Sequence, residues 1–196
     1  MATHNAIAAI GQAVLGLLAS ACPRSEFAGA QFELYQAQNF ETHMDEGISL
    51  YMHRVTPANN IRNLPPRVVA DGRRYRPSLP LDIHYLLIAW ARDAVKQHRL
   101  LGWAMRELEN TPILHSALLN QYGPEPDTFA PNETVDLIME TIAIQDMGAI
   151  WEVHRHHFQP SIPYTARMVR IDSDIELTDA GLVQTRAFGM GKAIER

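Results

Sequence analysis

The sequence predicts an α+β fold: a single domain with a mixed, mainly antiparallel sheet of about five strands, flanking helices, and long loops rich in proline and arginine. Segments with helical spacing of apolar residues occur along the chain together with segments in which apolar and polar residues alternate. The 196 residues are 46% hydrophobic and 20% charged, which is typical of one soluble domain with a substantial core. We therefore expect one domain over residues 1–172 and a C-terminal extension over residues 173–196.

The first predicted element is a helix over residues 4–21. It is too short, and too interrupted by glycine and glutamine, to span a bilayer. The run that ends at Cys22 resembles a lipoprotein cleavage box, but residues 1–21 contain none of the lysine or arginine that a secretory leader needs. One cysteine permits no internal disulfide, so nothing requires an oxidising compartment. We expect a docking helix that contacts a neighbouring subunit or another protein partner through an apolar stripe formed by Ile7, Ile10, Val14 and Leu17.

Further elements follow from the same periodicities. Alternation predicts strands over residues 31–37 and 48–55, joined as a hairpin or meander by a polar, acidic stretch. The apolar run 81–91 fits either a buried strand or the first turns of a long helix. The rest of the chain predicts a helix over 93–110, a strand over 135–141, a helix over 144–157 and a strand over 164–171.

Residues 56–80 form one long segment with five prolines and an Asp71-Gly72 turn signal. Its basic side chains are Arg62, Arg67, Arg73, Arg74 and Arg76. The segment is either a solvated surface loop or a basic arm that reaches an acidic neighbouring subunit. Nucleic-acid binding is disfavoured, because the chain carries a net charge of −5 and the segment lacks interleaved aromatic residues that stack on bases.

The motifs of catalysis and cofactor binding are weak. The sequence contains neither a phosphate-binding P-loop nor a dinucleotide fingerprint, and no nucleophile elbow. His84 and Asp82 would share one face of a strand, as a polar pair at a sheet edge or as an acid–base pair. His154, His156 and His157 lie close enough in sequence to supply metal ligands to a small metal-dependent hydrolase, or they simply occupy a helix C-terminus. We expect no enzyme activity, no cofactor, no metal and no small-molecule substrate.

Several stretches together resemble one protein family. They are ISLYMHRV at 48–55, RPSLPLDIHYLLIAWA at 76–91, RLLGWAMR at 99–106, TPIL at 111–114 and YTARMVRID at 164–172. In this order they are similar to the tail-terminator, or cap, proteins of phage-tail-like extracellular contractile injection systems. The resemblance covers about two-thirds of the chain.

The resemblance implies a structural protein without catalytic activity. Such caps form a homo-hexameric ring at the end of the tail distal to the baseplate, where they end inner-tube polymerisation and anchor the last sheath ring. The expected partners are therefore sibling subunits, tube subunits and sheath subunits, with no membrane and no nucleic acid. Assembly is expected in the cytoplasm, with release by lysis. The resemblance also implies that residues 81–90 form a strand.

A closed ring needs two different complementary surfaces on each subunit. The arginines of the 62–76 segment are candidates for one surface, and the acidic residues Asp45, Glu46, Glu125 and Asp127 are candidates for the other. Two alternatives stay open at this point. One is a connector or completion protein elsewhere in the same particle, and the other is a cytosolic adaptor outside any tail.

Overall fold

The computed structural model describes residues 2–58, 64–152 and 158–178 and has an α+β fold. The elements follow in the order α1 (Ala6–Ala21), β1 (Gln31–Tyr35), β2 (Gly47–Pro57), β3 (Arg67–Val68), β4 (Arg74–Tyr75), β5 (Leu79–Trp90), α2 (Ala94–Asn110), β6 (Ile113–His115), α3 (Ser116–Tyr122), β7 (Thr134–Met139), α4 (Ile144–Glu152) and β8 (Ser161–Ile171). A short 3-10 helix, Ala37–Phe40, lies between β1 and β2. Among the described residues, no helix is both long and apolar enough to cross a membrane.

Six strands form one sheet in the order β1-β2-β5-β8-β7-β6, and β3 pairs with β4 in a separate hairpin. The pair β1–β2 is parallel, whereas the other neighbouring pairs of the large sheet are antiparallel. The prediction of a mixed, mainly antiparallel sheet is therefore confirmed. Its sixth strand, β6, is only three residues long and follows Pro112, where the sequence signals the end of a helix but not the start of a strand.

The expected hairpin between the first two strands is wrong, because β1 and β2 run in the same direction. Residues 36–46 carry the chain back along the sheet through the 3-10 helix, and a connection of about this length permits parallel pairing. Gly47 begins β2 with a φ of +151°, and a Cβ there would lie 2.1 Å from the carbonyl oxygen of Gln31. A glycine is therefore needed where the two strands first meet.

The apolar run 81–91 forms the central strand β5, which ends at Trp90 and is buried on both faces over its second half. The strand that the family resemblance implies is therefore confirmed, and the helical alternative is wrong. The predicted helix at 93–110 is confirmed as α2, which Asp93 caps by accepting a hydrogen bond from the Lys96 amide at 2.8 Å. The predicted helix over 144–157 is described from Ile144 to Glu152.

One face of the sheet carries α1, α2 and α3. Its core joins helix residues such as Ile10 and Leu100 to sheet residues such as Ile48, Leu87 and Ala166, all of them fully buried. Burial of so many apolar side chains is the main stabilising contribution to the fold.

The opposite face is covered at one end only. There the 3-10 helix and α4 pack Phe40 and Trp151 against Trp90, whose indole N–H donates to the Ser49 hydroxyl at 2.8 Å. Phe40 and Trp151 meet edge to face, with ring centroids 5.6 Å apart. The other half of this face carries polar side chains and is called the open face below.

The predicted boundary between a domain at 1–172 and an extension at 173–196 stays a prediction. Residues 173–178 contact the small hairpin, as described below, and residues 179–196 lie outside the described residues.

Candidate assembly surfaces

The arginine-rich segment folds into a small hairpin at one end of the sheet. The Asp71-Gly72 turn signal is confirmed: the amide of Gly72 donates to the Val69 carbonyl at 2.9 Å, and φ at Gly72 is +86°. Asp71 accepts hydrogen bonds from the Arg73 amide at 3.0 Å and from its guanidinium at 2.7 Å. These bonds lower the pKa of the Asp71 carboxyl.

The chain after β8 pairs with β4 of this hairpin through an isolated β-bridge and two further backbone hydrogen bonds. Tyr75 pairs with Glu176, the Arg76 amide donates to the Ile175 carbonyl at 3.0 Å, and the Leu177 amide donates to the Arg74 carbonyl at 2.7 Å. We call β3, β4 and residues 175–177 the hairpin unit. Its position is therefore fixed by backbone hydrogen bonds to the segment that leaves the central sheet.

Asp172 connects the hairpin unit to the rest of the molecule. Its carboxylate accepts a hydrogen bond from the Ser78 hydroxyl and lies 3.4 Å from the guanidinium of Arg67. Its amide donates to the carbonyl of Ala2 at 2.9 Å. The Arg67 guanidinium also stacks over the Tyr75 ring at 4.5 Å from the centroid. One carboxylate thus joins the hairpin and the start of β5, and the same residue binds the N-terminal segment.

The structure describes four of the predicted arginines, and all four lie on or beside the hairpin unit. Arg67 and Arg73 make ion pairs within the chain, with Asp172 and Asp71. Arg74 and Arg76 are exposed, and the alternation of an extended chain places both on the face opposite Tyr75. Val68, opposite Arg74 in the register, is 63% exposed on that same face. Arg62 lies outside the described residues.

The predicted docking stripe of the first helix is instead part of the core. Ile10 and Val14 are 0% exposed, while Ile7 and Leu17 are partly buried and pack against the same core. Contact of Ile10 or Val14 with another subunit is incompatible with this packing. The apolar spacing correctly indicated a buried face, but its partner is this chain's own sheet.

The candidate acidic residues fall into a pair that forms ion pairs and a pair that does not, among the residues that the structure describes. Asp45 and Glu46 make ion pairs with Arg92 at 2.7 Å and Lys96 at 2.6 Å, at the end of the sheet where β2 begins and β5 ends. Glu125 and Asp127 are exposed in the loop after α3, and neither carboxylate has an ion-pair partner among the residues that the structure describes.

The candidate metal ligands His154, His156 and His157 lie outside the described residues. Within residues 2–58, 64–152 and 158–178, no group of three or more histidine, cysteine or carboxylate side chains is placed to hold a metal ion. The hydrolase alternative stays untested.

The pair formed by His84 and Asp82 lies in the middle of the sheet, because β5 is a central strand, so a location at a sheet edge is wrong. The His84 ring lies between two hydroxyls: Nε2 is 3.0 Å from Thr56 Oγ1, and Nδ1 is 2.9 Å from Thr165 Oγ1. Nδ1 is also 3.7 Å from a carboxylate oxygen of Glu140. Burial and the nearby Arg54 lower the pKa of His84, so the ring is neutral at pH 7.

These residues line an open cleft of about 350 Å³, which we call the bulge cleft. Its main lining side chains are Arg54, Thr56, Asp82, His84, Glu140 and Arg167. The separate strand segments give no sign of this cluster, since only the sheet register brings the six side chains together.

Comparison with known proteins assigns the family. Residues 9–185 match the family model described as the Pvc16 N-terminal domain. This match covers most of the chain, and the chain therefore belongs to that family. A search of the curated proteins gives no match.

Two solved structures share the fold. The PVC sheath/tube terminator of an extracellular contractile injection system, in its extended state, superposes with a TM-score of 0.59 at 12% identity over 97% of this chain. The tube-terminating cap of the anti-feeding prophage gives 0.56 at 14% identity over 94% of this chain. The chain spans 63% and 60% of the lengths of those two proteins. These likenesses establish the fold.

Proposed function

We propose that this protein is the tail terminator of a contractile injection system. The observation that carries the proposal is the match of residues 9–185 to the Pvc16 N-terminal domain. The shared fold with a sheath/tube terminator and a tube-terminating cap supports it. In this role the protein acts by binding rather than by catalysis and needs no cofactor.

The proposed assembly is a homo-hexameric ring at the end of the tail distal to the baseplate. Siblings in a closed ring meet through a heterologous interface. The face of the ring that points away from the tail would not offer the surface on which a further tube ring stacks, so tube growth would stop there. The ring would hold tube subunits and the last sheath ring, which accounts for a defined tail length. Assembly in the cytoplasm and release of the particle by lysis are part of this proposal.

Within the assembly, we assign the exposed side of the hairpin unit to an interface. Arg74 and Arg76 project from it beside the exposed Val68 of β3, so a partner with an apolar centre and an acidic rim fits this surface. Glu125 and Asp127 of a sibling subunit are candidates for the acidic side. Arg67 contributes indirectly, because its ion pair with Asp172 holds the hairpin in place, and the pair between Arg73 and Asp71 lies within the turn of the hairpin.

Deletion of the gene tests the proposal, with particles scored for tail length and sheath state by electron microscopy. We expect overlong, variable or sheath-less tubes. Re-expression of the wild-type protein should restore uniform tails, and a variant with Arg74→Glu and Arg76→Glu should not. Arg106→Glu is the matched control, because Arg106 is an exposed arginine on α2 whose guanidinium donates hydrogen bonds to the Asn110 side chain. Particles of normal, uniform length in the deletion strain would refute the assignment.

A further inference from the structure

Two β-bulges lie beside the central strand on the open face. The first is in β2, where the register with β5 shifts between Met52 and Arg54. His53 is the extra residue, so His53 and Arg54 together oppose His84. A bulge bends its strand and changes the direction of the side chains, and bulges are enriched beside functional sites.

The second bulge is in β8, on the other side of β5. There the pairs Leu81–Val169 and Ile83–Ala166 leave Asp82 opposite both Arg167 and Met168. Met168 has a φ of +58°, which is unusual for a residue with a side chain, and its amide donates to the Asp82 carboxylate at 2.9 Å. This strained conformation is thus held by a specific hydrogen bond, as is typical of functional sites.

The two bulges bring Arg54 and Arg167 to the same cleft from opposite sides of β5. Both arginines are exposed, and within the described part of the chain neither has a hydrogen-bond or ion-pair partner. Asp82 and Glu140 line the same cleft, where Asp82 accepts a hydrogen bond from the Met168 amide and Glu140 faces the His84 ring. Neither carboxylate forms an ion pair with Arg54 or Arg167, so both guanidinium groups keep free donors at the rim.

The pKa values of the neighbouring histidines respond both to Arg54 and to the carboxylates. The pKa of His53 is lowered to about 4, chiefly by burial, and the proximity of His84 and Arg54 acts in the same direction. For His84, burial and then the Arg54 charge lower the pKa, while Glu140 and Asp82 raise it. Arg54 therefore disfavours additional positive charge on these rings, and an anion bound to Arg54 would have the opposite effect.

We propose that the bulge cleft is an oxyanion site that takes a carboxylate presented by another protein chain. Two guanidinium groups match the planar geometry of a carboxylate, and the Thr56 hydroxyl lies beside them in the cleft. The cleft is open, so a small free anion would stay hydrated and bind weakly. A carboxylate on a protein partner arrives with surface that excludes this water. The inference goes beyond the proposed function, since it does not depend on where the chain sits in a particle.

The test follows the ring protons of His53 and His84 by NMR across pH, using the purified full chain. One arm adds sodium acetate, a second adds inorganic phosphate, and a third adds the peptide acetyl-Gly-Glu-Gly-amide, all at constant ionic strength set with sodium chloride. An anion between the arginines offsets their charge, so we expect acetate to raise both pKa values by about 0.3–0.5 pH units. The peptide should reach the same shift at lower concentration.

Variants separate site binding from general screening. Arg54→Gln with Arg167→Gln should abolish the response, and the fold should persist because both side chains are exposed. Arg106→Gln should respond as the wild type does. The proposed site would be overturned if acetate left the pKa values of His53 and His84 unchanged in the wild type, or shifted them equally in the double variant. A response to phosphate without one to acetate would overturn the carboxylate assignment, and acetate acting as strongly as the peptide would overturn the protein-borne source.

Discussion

Helix α1 and the hairpin unit were both expected to face other subunits, yet the structure uses them in opposite ways. The apolar side of α1 packs into the chain's own core, where Ile10 and Val14 are fully buried. The hairpin unit stays at the surface, held by Asp172 and by backbone hydrogen bonds, with Arg74 and Arg76 exposed. The difference shows that apolar spacing identifies a buried face but not the molecule that buries it.

The same comparison holds among the charged residues. Arg67 pairs with Asp172 and positions the hairpin unit, whereas Arg73 pairs with Asp71 within the turn of the hairpin itself. Arg74 and Arg76 are exposed on its other face, and they carry the proposed interface. Substitutions in the two regions should therefore affect different quantities, namely stability for α1 and assembly for the exposed side of the hairpin unit.

The largest expected effect is in α1. Ile10→Ala removes a fully buried side chain and leaves a cavity, which should lower the free energy of unfolding by about 2–5 kcal/mol. Gln12→Ala is the control on the same helix, because Gln12 is exposed and should change stability by less than about 0.5 kcal/mol. Urea denaturation followed by circular dichroism measures both. Equal, small effects of the two substitutions would contradict the assignment of α1 to the core.

A smaller, local effect is expected at Asp172. Asp172→Asn weakens the contacts with Arg67 and Ser78, which should cost about 1–3 kcal/mol. Hydrogen exchange should accelerate at the Arg76 and Leu177 amides more than in the central sheet. Asp174→Asn, an exposed neighbour, should leave both quantities unchanged. Uniform acceleration over the whole sheet would show that Asp172 does not act on the hairpin unit specifically.

A pH effect is expected from the open face. The folded-state pKa of His53, about 4, is below its unfolded value of 6.5, so the unfolded chain binds more protons as the pH falls. The contribution of His53 to the free energy of unfolding is therefore fully present above pH 6.5, and it is lost as the pH falls through 4. Because carboxylates also titrate near pH 4, the comparison is with His53→Gln, whose melting temperature should fall less between pH 6.5 and 5. Parallel profiles for the two proteins would contradict the depressed pKa.

The smallest effect is expected at the opposite end of the sheet. Arg92 and Asp45 pair at 2.7 Å, but their side chains are 82% and 76% exposed, so solvent screens the interaction. Arg92→Ala should change the free energy of unfolding by less than about 1 kcal/mol, measured by the same denaturation. A loss as large as that of Asp172→Asn would show that this end of the sheet is more tightly coupled to the core than its exposure indicates.

Much of the fold follows from the sequence, because helical spacing and alternation are local. They predict α1, α2, β2 and β8 to within a few residues. The parallel pairing of β1 and β2 is not local, since it depends on the route of residues 36–46. The short elements β6 and α3 have too few residues for a periodicity to be visible.

The candidate site is harder to predict from the sequence, because its contacts join residues that are far apart along the chain. Composition identified the arginines of the 62–76 segment, but only the fold shows that Asp172, about a hundred positions away, binds Arg67. The bulge cleft forms only when β2, β5 and β8 pair in the observed registers. The local sequence around His53 and Met168 does not indicate that a one-residue bulge lies there.

Cryo-electron microscopy of the intact particle tests the central claim most directly. We expect a ring of six copies of this chain at the end distal to the baseplate, in contact with the last tube ring and the last sheath ring. The exposed side of the hairpin unit, with Arg74 and Arg76, should lie within an interface of that ring. Density for the chain at the baseplate, along the tail or nowhere in the particle would contradict the account.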